Sequence, residues 1–160
     1  MRNIFIYTLF VGIFFNQMAK SQVVINEYSC SNTNTILDAY GEYEDWVELY
    51  NSGGAAVNLT GYYISDDPAA PLKWQIPTVT PMNAGTRKMV FCSDRGVVSA
   101  NGQIHPTFKL SQARFSGEWF LISDPNGVLV DSVKLQKTQR GHSRGRTTDG
   151  AATFSLFNTP

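Results

Sequence analysis

Metal-binding and catalytic residue types are scarce in this chain of 160 residues, and a sustained helical pattern is missing. Two cysteines and two histidines are too few to suggest a structural zinc site, which usually takes four such ligands, so we predict no metal and no cofactor. Nucleophilic catalysis needs a base beside a nucleophile, but His105 lies before a proline in an irregular loop and His142 lies in a glycine-rich tail. We therefore interpret both histidines as surface or packing residues and predict that the protein is not an enzyme. No segment places apolar residues at helical spacing between caps, which argues against a helical fold.

Apolar runs long enough to form a permanent membrane span are also missing. The longest, Ile4 to Phe15, has about 12 residues, whereas a spanning helix needs roughly 20. Arg2 precedes this run, and Ala19-Lys20-Ser21 offers small residues to a signal peptidase. We predict a signal peptide over residues 1–21, with no stable membrane insertion after its cleavage and a secreted, periplasmic or cell-surface location. A membrane anchor or a buried first helix is the alternative.

Charge of one sign is missing from two segments, although the whole chain has 13 basic and 13 acidic residues. Removing Arg2 and Lys20 with the leader leaves 11 basic and 13 acidic residues, a net charge of −2. Nucleic-acid binders are usually strongly basic, so a nucleic-acid partner is not expected. Segment 38–48 contains no base and segment 134–146 contains no acid. We favour the interpretation that these segments meet, or face solvent separately, over an acidic metal-binding rim and a basic patch for polyanions.

Cys30 and Cys92 are the only cysteines. An exported protein with an even count can form one disulfide, but each cysteine also ends an apolar strand, where a free thiol packs well. The separation of their Cα atoms decides between these two states, and both stay open here.

The run from Asp45 to Asn51 is the clearest predicted strand, because its side chains alternate and both sides carry large apolar groups. We therefore predict an inner strand. Asp124-Pro125-Asn126-Gly127 is a tight turn that joins two further strands into a hairpin. The other predicted strands are 23–30, 61–65, 73–76, 86–92, 107–110, 117–123 and 128–133, with a brief one at 154–156. About eight short strands separated by Gly, Pro, Asn and Asp predict an all-β fold, an immunoglobulin-like β-sandwich.

Carboxylates cluster at Glu42, Glu44 and Asp45 and again at Asp66 and Asp67. Such clusters can serve a small hydrolase or bind calcium through oxygen ligands. Neither cluster has the alternating spacing of a calcium loop, and the second fits a turn in which Asp side chains bond their own backbone.

Aromatic residues offer another kind of site. Tyr62, Tyr63 and Trp119, if exposed in a planar row, would form a sugar-stacking face. Trp46, Trp74 and Trp119 all lie within predicted strands, so we expect at least two of them to pack in the core instead.

A series of short motifs follows in order along the chain. It begins with Ile25-Asn26-Glu27, Asp45-Trp46-Val47-Glu48-Leu49-Tyr50-Asn51 and Val57-Asn58-Leu59-x-Gly61-Tyr62-x-Ile64-Ser65-Asp66. It continues with Lys73-Trp74-x-Ile76-Pro77, Phe108-Lys109-Leu110-Ser111, Gly117-Glu118, Asp131-Ser132, Ser143-Arg144-Gly145-Arg146 and Asp149-Gly150. Each motif is weak alone, but so many in one order resemble the lamin tail domain family over roughly residues 22–156.

This resemblance implies an immunoglobulin-like β-sandwich over residues 22–160 and, as in exported bacterial members of the family, an accessory unit for surface attachment or protein interaction. The implied partner is an unidentified protein or a cell-surface glycan. A carbohydrate-binding β-sandwich module is the alternative function, and a small hydrolase is a further one. The resemblance assigns structural motif roles to Asn26, Glu27, Trp46, Glu48, Asn51, Asn58, Gly61, Asp66, Trp74, Pro77, Lys109, Ser111, Gly117, Glu118, Asp131, Ser143 and Arg146.

Three of these charged residues sit in an apolar or glycine-rich strand context. We predict that Arg146, from the last motif, pairs with Glu48 or with Glu27 and ties the ends of the sandwich together. A buried pair of this kind is costly to break. The motif residues are therefore predicted to be structural and not catalytic.

Overall fold

A computed structural model describes residues 22–112 and 117–160, which form eleven β-strands and no helix. The predicted signal peptide, residues 1–21, lies outside the described residues. No helix in the described part of the chain has the length and hydropathy needed to cross a membrane. The strands are β1 (Val23–Ser29), β2 (Trp46–Asn51), β3 (Tyr63–Ser65), β4 (Trp74–Gln75), β5 (Arg87–Phe91), β6 (Val97–Val98), β7 (Ile104–His105), β8 (Glu118–Ser123), β9 (Leu129–Leu135), β10 (Ser143–Arg146) and β11 (Phe154–Phe157).

The strands form two sheets. The seven-stranded sheet has the order β11-β10-β1-β2-β5-β7-β6, and the four-stranded sheet has the order β4-β3-β8-β9. All neighbours are antiparallel except β5 and β7, which are parallel. The all-β, immunoglobulin-like sandwich predicted from the sequence is confirmed, and β2 is the inner strand expected of it.

The strand count exceeds the predicted eight for local reasons. β6 and β7 have two residues each, and β10 runs through Ser-Arg-Gly-Arg, a composition without β-propensity. The strand predicted over 107–110 is reduced to an isolated bridge between Ser93 and Lys109. The predicted hairpin is present, since β8 pairs with β9 and Asp124 N donates to Val128 O at 2.8 Å.

The core lies between the sheets and follows from strand alternation. Val47 and Leu49 of β2 share one core cluster with Phe120 and Ile122 of β8, and all four are fully buried. Burial of such side chains is the main favourable contribution to folding, at roughly 25 cal/mol per Å² of apolar surface. Ile64 of β3 belongs to the same cluster.

A second, smaller buried group lies on the outer face of the seven-stranded sheet. Trp46 and Phe91 alternate with core residues and so point away from the core, yet they are 2% and 0% exposed. The ring of His105 stacks on Phe91 at 5.8 Å, and Tyr40 meets His105 edge-on at 5.2 Å. Tyr40 belongs to residues 31–45, which we call the covering loop because its residues shield this group.

Both cysteines are free and buried. Cys30 follows β1 and Cys92 follows β5, and β2 lies between these two strands. Neighbouring strands are about 4.8 Å apart, so the strands that carry the cysteines are separated by about 9–10 Å. A disulfide needs Cα atoms within about 7 Å, so this topology favours two packed thiols, and burial raises the pKa of both.

Candidate functional site

An ion pair between Arg146 and Asp131 joins the two sheets. Arg146 is on β10 of the seven-stranded sheet, and its Nη2 lies 2.8 Å from Asp131 Oδ2 on β9 of the four-stranded sheet. The predicted pairing of Arg146 with Glu48 or Glu27 is therefore wrong. Glu48 alternates with the core residues of β2 and so points outward, on the other face of the sheet from Arg146.

The same two side chains also satisfy the backbone of β1. Ile25 N donates to Asp131 Oδ2 at 2.8 Å, and Arg146 Nε donates to Ile25 O at 2.7 Å. β10 pairs with β1 only at Glu27 and Tyr28, so Ile25 lies just beyond the end of that ladder. An unpaired buried backbone group would cost about 1–3 kcal/mol. We call Ile25, Asp131 and Arg146 the sheet clamp.

A polar network lies on the outer face of the seven-stranded sheet. Asn26 Nδ2 donates to Glu48 Oε1 and to Asp149 Oδ1, both at 2.9 Å, and Gly150 N donates to Asn26 Oδ1 at 3.2 Å. Arg87 pairs with Asp149, and its Nε lies 3.2 Å from Glu48 Oε1. Burial raises the pKa of Glu48, opposed by its bonds to Asn26 and Arg87. The network holds carboxylates in place and leaves no free catalytic pair.

A β-bulge explains why Asn26 and Glu27 both reach this face. The register between β1 and β2 shifts between Ile25 and Glu27, so that an extra residue enters β1. Glu27 then lies opposite Glu48 and accepts a bond from Ser143 Oγ at 2.5 Å. Two motif carboxylates therefore share one face with separate partners.

Most remaining motif residues anchor turns. Asn51 is fully buried and donates to the carbonyls of Ala55, Met82 and Asn83. Asn58 Oδ1 accepts from Thr60 N at 3.0 Å. These bonds fill the hydrogen-bonding capacity of backbone groups that the strand ladders leave unpaired.

Charged motif residues outside the clamp also form local pairs. Asp66 is buried and lies 2.6 Å from Lys73 Nζ, and Lys109 Nζ lies 2.8 Å from Glu44 Oε1. Gly61 has φ of 84°, a left-handed conformation that glycine adopts without strain. Trp74 is packed against the core cluster, and Pro77 follows the strand that contains it.

The second-half motif residues Ser111, Gly117 and Glu118 line a cavity of about 200 Å³, together with Cys30 and Lys137. Glu118 is buried, and Gly117 has φ of 86°. Another cavity, of about 410 Å³, lies between residues 78–80 and 98–102. Neither brings two carboxylates of the predicted clusters together.

Ser93, His105 and Asp38 come close enough to suggest a catalytic triad. Ser93 Oγ lies 2.9 Å from His105 Nδ1, and Asp38 Oδ2 lies 3.9 Å from the same nitrogen. A catalytic histidine uses one ring nitrogen for the nucleophile and the other for the acid, whereas Nε2 of His105 has no partner among the described residues. All three side chains are buried, and burial lowers the pKa of His105 despite the opposing effect of Asp38. This histidine is a packing residue, as predicted.

The carboxylates proposed for hydrolysis have separate structural roles. Glu42 pairs with Arg95 at 2.6 Å, Glu44 pairs with Lys109, and Asp45 Oδ1 accepts from Asn32 N at 3.0 Å. Across residues 22–112 and 117–160, no group of three or more Asp, Glu, His or Cys side chains could hold a metal ion. The acidic segment is therefore matched by cations from other loops, and the C-terminal basic segment supplies none of them.

Sequence patterns missed two partners in these clusters. Arg87 lies on the outward face of β5 with Met89 and Phe91, while Val90 points to the core. This alternation was a signal that Arg87 contacts Glu48 on the outward face of β2. Asn32 had no such signal. It closes the covering loop by donating to Ile36 O and Glu44 O.

Comparison with known families agrees with this geometry. A sequence model of the Lamin Tail Domain family matches residues 16–137. The chain therefore belongs to the lamin tail domain family, a family of immunoglobulin-like, non-catalytic interaction domains. A search of curated proteins finds no match. The match ends before β10, so Ser143 and Arg146 are placed by the fold and not by the family comparison.

Replacing Arg146 by Ala should destabilise the domain by about 3 kcal/mol, because it leaves Asp131 and the carbonyl of Ile25 without their partner. Chemical denaturation of residues 22–160 measures this loss. Arg146→Lys keeps the charge but not the set of bonds, and we expect an intermediate loss. Arg140→Ala, at an exposed arginine, is the matched control and should change stability by less than about 0.5 kcal/mol. An unchanged midpoint for Arg146→Ala would show that the clamp is not required.

The free energy of unfolding of the Asp45→Asn variant should rise progressively, relative to that of the wild type, as the pH rises from 4 to 7.5. Burial raises the pKa of Asp45 from 3.8 to about 6, so the folded wild type binds more protons than the unfolded chain in this range and loses stability with rising pH. Asparagine keeps an acceptor for Asn32 N and does not titrate. The upper limit of the gain is about 3 kcal/mol.

Thermal unfolding at several pH values tests this expectation, with Glu42→Gln in the same loop as the control. Parallel pH profiles for Asp45→Asn and the wild type would contradict it.

Proposed function

We propose that this chain is an exported, non-enzymatic interaction domain that attaches to a cell surface through an unidentified protein or a surface glycan. The observation that supports the proposal is that the reactive side chains are buried or already paired. Ser93 and His105 are buried, and the carboxylates of the covering loop are engaged one by one by Arg95, Lys109 and Asn32. A hydrolase needs two such groups converging on an open cleft.

Export is supported by the sequence of the leader. Arg2, the apolar run Ile4 to Phe15 and the small residues of Ala19-Lys20-Ser21 form the three parts of a secretory signal. An interaction domain with a leader of this kind would act outside the cytoplasm.

The covering loop supports an interaction role because it exposes apolar side chains on a fixed backbone. Leu37, Tyr40 and Tyr43 are about half exposed. Asn32 accepts from Thr35 N and Ile36 N and donates to two carbonyls across the loop, which holds the loop in one conformation. Tyrosine on a rigid support gives contact area at low entropic cost. We therefore assign partner contact to this loop.

The carbohydrate-binding alternative has less support. Tyr62 packs against the core cluster, which removes it from the predicted row. Tyr63 lies opposite Ser123, and Trp119 is four residues away along β8, about 13 Å at strand rise. Two half-buried rings at that distance do not make a continuous platform.

Expression of the full chain in a Gram-negative host should give a mature protein that starts at Gln22. Mass spectrometry of the periplasmic or extracellular fraction identifies the first residue. Lys20→Ala, which leaves the residues at the cleavage positions unchanged, is the control and should be processed at the same bond. A protein that retains Met1 and stays in the cytoplasmic fraction would contradict export.

The double variant Leu37→Ser/Tyr43→Ser should weaken binding of purified residues 22–160 to an envelope preparation of the organism that makes the protein. Loss of two exposed apolar contacts corresponds to roughly tenfold or more in affinity if they are central to the interface. The control, Val128→Ser/Leu129→Ser, removes two similarly exposed apolar residues from the β8–β9 hairpin. Equal binding of both variants would exclude the covering loop as the contact surface.

A further inference from the structure

The cations of this domain divide into two groups by their partners. Outside the C-terminal segment, Lys73, Arg87, Arg95 and Lys109 each lie within ion-pair distance of a carboxylate, and Lys88 donates to Thr80. Within the segment, Arg146 is the one cation with an ion pair to a described carboxylate, in the sheet clamp. No ion pair to a described carboxylate occurs at Lys134, Lys137, Arg140 or Arg144. We call residues 134–144 the basic strip.

The basic strip has a fixed backbone. It crosses from β9 in one sheet to β10 in the other, and Gln136 N donates to Tyr28 Oη at 3.0 Å. Cys30 N donates to Thr138 Oγ1, and Gly141 N donates to Ser31 O. Leu135, Thr138 and Gly141 are buried and anchor the strip, while Lys134, Lys137 and Arg140 are exposed. Arg144, on β10, is half-buried. Charges held in this way lose little entropy when a ligand binds.

The spacing of the cations indicates a ligand with widely separated charges. Lys134, Lys137, Arg140 and Arg144 recur every three or four residues, which corresponds to about 10–14 Å at most along an extended chain. Double-stranded DNA presents a charge every 1.7 Å or so, and the net charge of −2 on residues 22–160 opposes such a dense polyanion. No Phe, Tyr or Trp lies in the strip to stack on bases.

Uncharged donors fill the intervals between the cations. Gln136 and Gln139 are exposed and follow Lys134 and Lys137 along the chain. Amides donate to and accept from hydroxyl groups, while lysine and arginine bind carboxylate or sulfate. Hydroxyls with regularly spaced acid groups are the chemistry of an acidic polysaccharide.

We propose that the basic strip binds an acidic polysaccharide, which would be the surface ligand of the attachment function proposed above and so rests on it. The cations supply the attraction, and the amides contact the sugar hydroxyls. The covering loop, which is next to the strip through the bond between Gly141 and Ser31, is free to contact a second partner.

Salt-gradient elution of residues 22–160 from immobilised heparin and from an immobilised polyuronate tests the proposal. The strip variant is Lys134→Gln/Lys137→Gln/Arg140→Gln. The matched control, Lys88→Gln/Arg95→Gln/Lys109→Gln, changes the net charge by the same amount at cations outside the strip. Thermal unfolding confirms that both variants are folded.

We expect the affinity of the strip variant for the polysaccharides to fall about tenfold or more at low salt. The logarithm of the affinity of the control variant should fall by less than half as much. The slope of log affinity against log salt should fall by about 2–3 for the strip variant, by analogy with about 0.7–0.9 per phosphate contact. Equal losses in the two variants would overturn the proposal.

Immobilised polyglutamate and single-stranded DNA distinguish the ligand class. Elution from either at higher salt than from both polysaccharides would overturn the assignment to a glycan in favour of an acidic polypeptide or a nucleic acid. A strip variant that loses polysaccharide binding but binds the envelope preparation like the wild type would also overturn it, while leaving the attachment function intact. Failure of the wild type to bind the envelope would instead refute the attachment function.

Discussion

The sandwich depends on how β1 completes its hydrogen bonds where β10 stops pairing with it. Ile25 lies beyond the end of that ladder, and its N–H and carbonyl are taken by Asp131 and Arg146. These side chains come from different sheets and pair with each other at 2.8 Å. A buried ion pair alone adds little net stability, because desolvation offsets the attraction. Here the pair also satisfies two backbone groups and fixes the separation of the sheets, which an apolar substitute of equal volume would not do.

The other polar motif residues repeat this arrangement on a smaller scale. Asn51 gathers three carbonyls at a turn, and Asn26 links Glu48 to Asp149 across the outer face. In each case a side chain completes hydrogen bonds that irregular backbone leaves open. A domain whose polar residues are occupied in this way has few groups left for chemistry. Its function then depends on loops and exposed charges, which agrees with membership of a family of interaction domains.

Alternation and turn signals in the sequence predict most of the strands. They do not predict which residues of different strands face each other. Alternation in β2 identified an inner strand, and the hairpin turn at Asp124 to Gly127 was readable from turn chemistry. Arg146 was expected to pair with Glu48 or Glu27, but its partner, Asp131, depends on which face of β10 Arg146 occupies, and that requires a register. β10 itself has no strand composition, because its pairing with β1 and β11 and not its propensity makes it a strand. Core packing was expected for at least two of Trp46, Trp74 and Trp119, and Trp46 is buried on the outer face of the sheet and not in the core between the sheets.

Charge pairing could not be predicted from the sequence either, since only the fold shows which charges are neutralised. The acidic run before and within β2 and the basic run near the end of the chain suggested two oppositely charged segments that either meet or face solvent separately. In the structure, Glu42 and Glu44 are matched by Arg95 and Lys109, while Asp38 lies 4.0 Å from Arg95. The acidic segment therefore has partners from loops that the sequence did not connect with it. Because these cations are already paired, and Arg146 is paired in the clamp, the described cations without a carboxylate partner are those of the strip and Lys88. Residues 22–160, although net negative, can in this way present a positive surface.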